Sequence, residues 1–229
     1  MTALIPVLML AQTPDYKAIV QPAFKDAKFV AKIISGNQKE LKKINSDFAQ
    51  SYRFTTTTAY VKEPFMLRVE AEVEDTKLMY IVNGGKKYYR IGSKMGYTQD
   101  VSKAPGKRQT IFDFGMLTPS LFTSGFMEAK YIRKDDSDLV FDITFDRKLD
   151  NSRHRVWVDS SKKYITKRTW YDQAGRLMAT FEYSNPKNED GVWFPTKCVV
   201  KNNENKVAGT TEYQKMAINT GLDSALFKF

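Results

Sequence analysis

Apolar and polar side chains alternate along most of the chain after residue 46. In EPFMLRVEAEVEDTKLMYIVNGGKKYYRIG (Glu63–Gly92), Phe65, Leu67, Val69, Ala71 and Val73 fall on one side, and Arg68, Glu70, Glu72 and Glu74 on the other. A period of two with one apolar face predicts half-buried strands. The same texture predicts a long strand over Asp47–Tyr60, with its β-branched Thr55–Thr58 run, and strands over Thr76–Val82 and Lys87–Ile91. Glu74-Asp75 reads as a corner, and Asn83-Gly84-Gly85 as a hairpin turn, because asparagine and glycine tolerate positive φ.

The second half repeats the pattern. Strands are predicted over Phe126–Arg133, Leu139–Phe145, Arg155–Asp159, Tyr164–Tyr171, Arg176–Tyr183, Trp193–Lys201 and Lys206–Met216. In the second of these, Leu139, Phe141, Ile143 and Phe145 alternate with Val140, Asp142, Thr144 and Asp146. Turn residues sit at Asp135–Asp138, Asp172–Gly175, Asn185-Pro186 and Asn202-Asn203. The sum is a mainly β chain, a meander of about eleven antiparallel strands with no linker to divide it, hence one domain over residues 12–229.

Two stretches depart from a period of two. Tyr16, Ile19, Ala23, Ala27, Val30 and Ile34 fall three or four apart, with Asp15 as cap and Gly36 as stop, and predict an N-terminal helix. A short second helix is expected from about Gln38 to Ile44. Later, TIFDFGMLTPSLFTSGF (Thr110–Phe126) is rich in Phe, Met and Leu without any period. Thr118-Pro119 reads as an N-cap and first helical residue, and Gly115 and Gly125 bracket the segment. A short apolar helix interrupting a meander is expected to bury itself on the sheet's concave side, as a plug or lid.

Aromatic residues make up 13% of the chain and there are nine methionines, side chains that adapt to varied apolar partners. One helix and a short plug are little material to cover so wide a concave face, so an apolar ligand cavity is expected, with a fully packed core as the alternative. Phe65, Leu67, Val69, Phe141, Ile143 and Phe145 are the candidate wall residues, and Met116, Leu117, Leu121 and Phe122 the candidate plug.

The net charge of +10 suits an anionic membrane face or an acidic partner, or is simply a solvated lysine-rich surface. Without an arginine-rich helix or an RNA-binding signature, nucleic acid is not expected as a partner. The opening MTALIPVLMLAQT carries an apolar run from Ala3 to Ala11 that reads as a signal peptide cleaved near Ala11, too short to span a bilayer. A buried N-terminal strand is the alternative. No cysteine follows the run, which argues against a lipid anchor.

Chemistry-bearing motifs are sparse. His154, the one histidine, lies between Arg153 and Arg155, which disfavour its protonated form, and is expected on a strand surface. Cys198 is the one cysteine, so no intrachain disulfide can form, and it is expected as a small buried hydrophobe. With no P-loop, dinucleotide fingerprint, nucleophile elbow or Cys/His cluster, no catalytic residue, metal ligand or cofactor is expected.

INSDFAQSYRF (Ile44–Phe54), AYVKEPFMLRVEA (Ala59–Ala71), LMYIVNGGKKYYRI (Leu78–Ile91) and INTGLDSALFKF (Ile218–Phe229) follow one another in an order that resembles the LolA/LolB-like outer-membrane lipoprotein-sorting superfamily, nearest to its soluble periplasmic carriers. The resemblance implies an unclosed β-barrel of about eleven strands around helices, whose interior takes up acyl chains of lipoproteins or phospholipids without enzymatic chemistry. It implies a periplasmic monomer that receives cargo from one membrane protein and hands it to another, toward the outer membrane. An envelope-stress sensor or adaptor, or an interaction protein, on the same fold is the alternative. One position departs: the family's arginine before the proline, which holds the lid by donating hydrogen bonds, is Glu63 here, so Lys62 or Arg68 substitutes or the lid is held differently.

Overall fold

The computed structural model describes residues 13–73 and 76–229. The expected signal peptide through Ala11, the side chain of Val73 and the Glu74-Asp75 corner lie outside the described residues. After a 3-10 turn at Tyr16–Ala18 comes β1 (Asp26–Gly36), then the short helices α1 (Gln38–Ile44) and α2 (Ser46–Ser51). Strands β2 (Thr56–Lys62), β3 (Met66–Val73), β4 (Thr76–Asn83), β5 (Lys86–Ile91) and β6 (Tyr97–Asp100) form the first meander. A third helix, α3 (Pro119–Thr123), precedes the second meander. That comprises β7 (Glu128–Asp135), β8 (Asp138–Thr144), β9 (Arg153–Asp159), β10 (Ile165–Tyr171), β11 (Leu177–Ser184), β14 (Lys197–Asn202) and β15 (Val207–Ile218), with the small hairpin of β12 (Lys187–Glu189) and β13 (Val192–Phe194) inserted.

Thirteen strands make one antiparallel sheet in the order β6-β5-β4-β3-β2-β1-β15-β14-β11-β10-β9-β8-β7, while β12 and β13 pair apart. The two halves meet where β1 pairs with β15, and β6 and β7 are left as opposite edges, so the sheet is an unclosed barrel. This is the mainly β sheet with a short helical plug that the alternation predicts, in the unclosed form that the family resemblance implies. Gly84 at φ 56° and Asp136 at φ 51° turn the two predicted hairpins.

The count and some boundaries differ from expectation. The N-terminal helix is a correction: Asp26–Gly36 is a strand, paired on one side with β2 and on the other with β15. Ala27 and Phe29 are buried while Lys28 and Lys32 are exposed, a period of two that the coincident spacing of Tyr16, Ile19 and Ala23 disguised. Those earlier residues belong to the 3-10 turn and the coil after it. The short helix at Gln38–Ile44 is present, capped by Asn37, whose side chain accepts from the Lys39 and Glu40 N–H groups. Part of the strand expected at Asp47–Tyr60 is instead α2, because Asn45 caps a new helix by accepting from the Phe48 N–H at 2.6 Å. The strand expected at Trp193–Lys201 is broken at Pro195-Thr196 into β13 and β14. With the short β6 added, about eleven strands become thirteen in the main sheet.

The convex face is not bare. A final 3-10 turn at Ser224–Phe227 lies against β3 and β4, where Arg68 Nη1 donates to the Leu226 carbonyl and Asn83 Nδ2 to that of Phe227. Lys62 Nζ donates to the Leu222 carbonyl, so Lys62 and Arg68 are both engaged with the C-terminal tail.

Gly115 joins the two turns of the plug at φ 89°, and a Cβ there would lie 2.7 Å from Tyr183 Cδ1 and 2.9 Å from Pro195 Cγ. A side chain would be strained and would force the plug off the sheet. Gly115→Ala is expected to destabilise the protein by about 2 kcal/mol or more, read as a lowered urea midpoint, and an unchanged midpoint would contradict this packing.

Candidate functional site

The connection between the two edge strands has to travel from one side of the sheet to the other, and it does so across the concave face. It carries 3-10 turns at Pro105–Lys107 and Ile111–Phe114 before α3. Thr110 and Asp113 fix the second turn reciprocally: Thr110 Oγ1 accepts from the Phe112 N–H, and Asp113 Oδ2 accepts from the Thr110 N–H at 3.0 Å. The Ile165 N–H donates to the Gly115 carbonyl at 2.9 Å and the Gln21 N–H to the Leu117 carbonyl at 2.8 Å. These few backbone contacts position the segment, and its apolar side chains provide most of the contact with the sheet.

All ten residues singled out from the sequence meet in one apolar cluster. Leu67, Met116, Leu117, Leu121, Phe141, Ile143 and Phe145 are buried in it, and Phe65, Val69 and Phe122 pack against it half-buried. Phe65 reaches it differently from expectation. It precedes β3 at φ 55°, following a cis Glu63-Pro64 bond, and its ring meets Phe126 at 5.0 Å. Phe122 stacks on Tyr16 at 5.0 Å, which ties the N-terminal turn to α3.

Several central residues were not anticipated. Phe29, read as helical, is fully buried against Phe114 at 4.9 Å, Phe194 at 5.1 Å and Tyr213 at 5.5 Å. The strand alternation of Ala27, Phe29 and Ala31 carries that signal. His154 is a second correction. It is buried against Phe112 at 5.1 Å rather than on the surface, and its pKa is held well below the ordinary value, first by burial and then by Arg168 and Arg153. Cys198 is buried as expected, its thiol pushed up to about 12 by burial.

Arg168, which no motif marks, extends from β10 into the interior. Its guanidinium stacks on Phe181 at 4.1 Å and Phe112 at 4.6 Å, and Nη1 donates to Asp113 Oδ1 at 3.1 Å. The Arg168 Nε and His154 Nδ1 are buried without a hydrogen-bond partner among the described residues.

Glu63, at the end of the β2–β3 hairpin, holds the start of α3. Its carboxylate accepts from Thr118 Oγ1 at 3.0 Å and from the Ser120 hydroxyl. The plug is thus tied at the position where the family resemblance expects an arginine, with polarity reversed: the plug donates and the sheet accepts. Burial pushes this carboxyl up to about 7, against the opposing pull of the Thr118 hydroxyl.

Beyond the plug the apolar surface continues into solvent. Tyr80 on β4 pairs in register with Tyr89 on β5, which pairs with Tyr97 on β6, so the three share one face. Tyr89, Ile91 and Tyr97 are exposed, and Met95 between β5 and β6 is 95% exposed. Two surface depressions lie elsewhere: one of about 590 Å³ beside α1 and α2, lined by Gln38, Lys42 and Arg53 among others, and one of about 420 Å³ lined by Thr58, Glu70, Lys77 and neighbours. None of the ten apolar residues lines either. The concave face is occupied by the plug.

A family profile described as that of an uncharacterized protein matches residues 126–229. No curated protein matches by sequence. Among solved structures, the chain is similar to a LolA superfamily protein from Nitrosomonas europaea, with a TM-score of 0.63 at 15% identity over 96% of this chain and 99% of that one. It is also similar to a structure described as an outer membrane lipoprotein-sorting protein domain from Vibrio parahaemolyticus, with a TM-score of 0.52 at 15% identity over 93% and 92% of the two chains. The fold is LolA-like.

A carboxyl whose folded pKa is raised from the ordinary 4.5 to about 7 costs stability as it ionises, so its contribution declines as pH rises from about 4.5 through 7. After discounting for partial solvent access, Glu63 is worth roughly 1–2 kcal/mol across that window. Thermal unfolding of the wild type is expected to move to lower temperature between pH 5 and pH 8, and Glu63→Gln to flatten that dependence. A variant with the wild-type slope would mean that Glu63 does not titrate at this contact.

Proposed function

We propose that this protein is an exported, non-enzymatic carrier that takes an acyl chain onto the concave face of its half-barrel, in the place the plug occupies. One observation carries the reading: the segment covering the sheet's apolar face contributes no strand to the sheet, meeting it among the described residues by an isolated bridge between Met116 and Tyr164. It is held by side-chain burial, by the backbone contacts at Gly115 and Leu117, and by a few side-chain ties, chiefly Glu63 to Thr118 and Ser120 and Arg168 to Asp113, so much of what retains it is interchangeable with a hydrocarbon chain. Burial of an acyl chain is worth about 0.8 kcal/mol per CH₂, enough for one chain to compete with a handful of apolar plug side chains. The exposed rim of Tyr89, Ile91, Met95 and Tyr97 extends the same apolar face outward and offers an entry route.

Phe65, Leu67, Val69, Phe141, Ile143 and Phe145 form the wall that the chain would touch, and Met116, Leu117, Leu121 and Phe122 are the side chains it would displace. The LolA-like fold over nearly the whole chain supports a periplasmic setting, with acyl chains of lipoproteins or phospholipids as cargo and membrane proteins as donor and acceptor. None of the described helices is long and apolar enough to cross a membrane. The +10 net charge assists approach to an anionic membrane face, where each well-placed Lys or Arg is worth about 1 kcal/mol. The protein acts as a monomer in this reading, needing neither cofactor nor metal.

Native mass spectrometry of the chain from Gln12, made in an exporting host and purified without detergent, tests this. The expected result is a mass excess that organic extraction resolves into phospholipid or acylated peptide. A clean protein mass that is unchanged after incubation with phospholipids and acylated peptides would overturn the carrier reading in favour of an interaction protein with a fixed core.

A further inference from the structure

We propose that the interior contains a site for an anionic head group, with Arg168 as its anchor and Asp113 as the plug's own stand-in for that group. The inference rests on the carrier reading and narrows the ligand to amphiphiles that carry a carboxylate or phosphate beside the acyl chain.

The argument begins with where the charges sit. The Arg168 side chain is only 4% exposed, whereas that of Asp113, its partner on the plug, is 36% exposed. The cation is therefore fixed inside the sheet, and the anion is the solvent-facing, movable member of the pair. The plug reproduces an amphiphile in this respect. Phe112 and Phe114 supply the apolar part, one on each side of the carboxylate of Asp113 in sequence.

As an anion, Asp113 leaves Arg168 short. Oδ1 accepts from Arg168 Nη1, but Oδ2 is committed to the Thr110 N–H by the capping box. Among the described residues, the guanidinium is thus hydrogen-bonded by one oxygen, and its buried Nε has no partner. A free carboxylate or phosphate, not bound into a helical turn, can take both edges of the fork, the strongest geometry a guanidinium offers. Other polar groups come free with the plug. Tyr183 Oη now donates to the Asp113 backbone carbonyl, Tyr80 Oη to Gln109 Oε1, and His154, whose Nδ1 lacks a partner, borders Phe112.

Energetics make the preference directional. Covering Arg168 with an uncharged chain in place of the plug leaves a buried guanidinium uncompensated, one of the costlier single changes a protein interior can suffer. A neutral acyl ligand bears that cost in full, while an anionic one cancels it. The interior therefore discriminates by head group as well as by chain.

Equilibrium titration of the wild-type protein with laurate, methyl laurate and dodecyl phosphate, followed by native mass spectrometry, isolates the head group on chains of matched length. Laurate, dodecyl phosphate or both are expected to bind about tenfold tighter than the ester or more, the range for a charge-assisted hydrogen-bonded pair, and which of the two binds identifies the head-group chemistry. Arg168→Met should erase the preference. Asp113→Asn, which removes the competing carboxylate, should raise affinity for the anionic ligand severalfold and keep the test decisive if the arginine variant does not fold. Equal binding of laurate, dodecyl phosphate and the ester would overturn the head-group site and leave the carrier reading standing. Binding of none of the three would overturn both.

Discussion

An open sheet with one apolar face must have that face covered, and everything distinctive here follows from how it is covered. β6 and β7 lie on opposite edges of the thirteen-stranded sheet, and the chain between them crosses the concave side. The crossing segment supplies Ile111, Phe112, Met116, Leu117 and Leu121 as buried side chains, and with Phe29, Phe141 and Phe194 they make the interior. The sheet is held by its ladders, including the β1–β15 seam that joins the halves, while the plug is held mainly by burial. The proposed carrier function requires that these two layers, held by different bonding, separate without unfolding each other.

The polar contacts at the plug modulate that separation. Glu63 ties α3 at one end through Thr118 and Ser120, and Arg168 ties the preceding turn through Asp113. The two differ in consequence. The Glu63 carboxyl can be neutralised by a proton near neutral pH, so releasing α3 does not strand a charge. Arg168 has no such escape: if an acyl chain takes the plug's place over it, an anion has to come with the chain. In the proposed carrier, one tie makes the plug responsive to pH, and the other makes it selective about what replaces it.

How much of this was readable in advance depended on the element. The alternation of Leu67, Val69 and Ala71 and of Phe141, Ile143 and Phe145 is a local pattern, and it marked the inward side correctly, with Val69 half-buried and the others buried. The aperiodic Thr110–Phe126 segment announced itself by lacking a strand's period. β1 was misread because its strand identity comes from pairing with β2 and β15, which lie 20 or more residues away in sequence, while the preceding turn completed a helix-like spacing by chance. His154 and Arg168 were invisible for a related reason: a histidine or arginine in a polar-looking strand becomes an interior group only when the plug covers it. Glu63 was noticed as a departure from a family pattern, but its partners Thr118 and Ser120 could be named only from the folded arrangement.

The central claim is that the plug leaves the concave face when an acyl chain enters. Glu63→Cys and Thr118→Cys, at side chains that now share a hydrogen bond, joined through a short bifunctional methanethiosulfonate that spans the pair, would lock the plug in the disulfide-linked, oxidised form and free it when reduced, with the native Cys198 buried and its thiol poorly ionised. Binding of a fluorescent fatty acid to the oxidised and reduced forms of this double variant, compared directly, is the measurement. The account predicts that the oxidised form does not bind and that reduction restores binding. Equal binding by both forms would show that the ligand enters without moving the plug, and would contradict it.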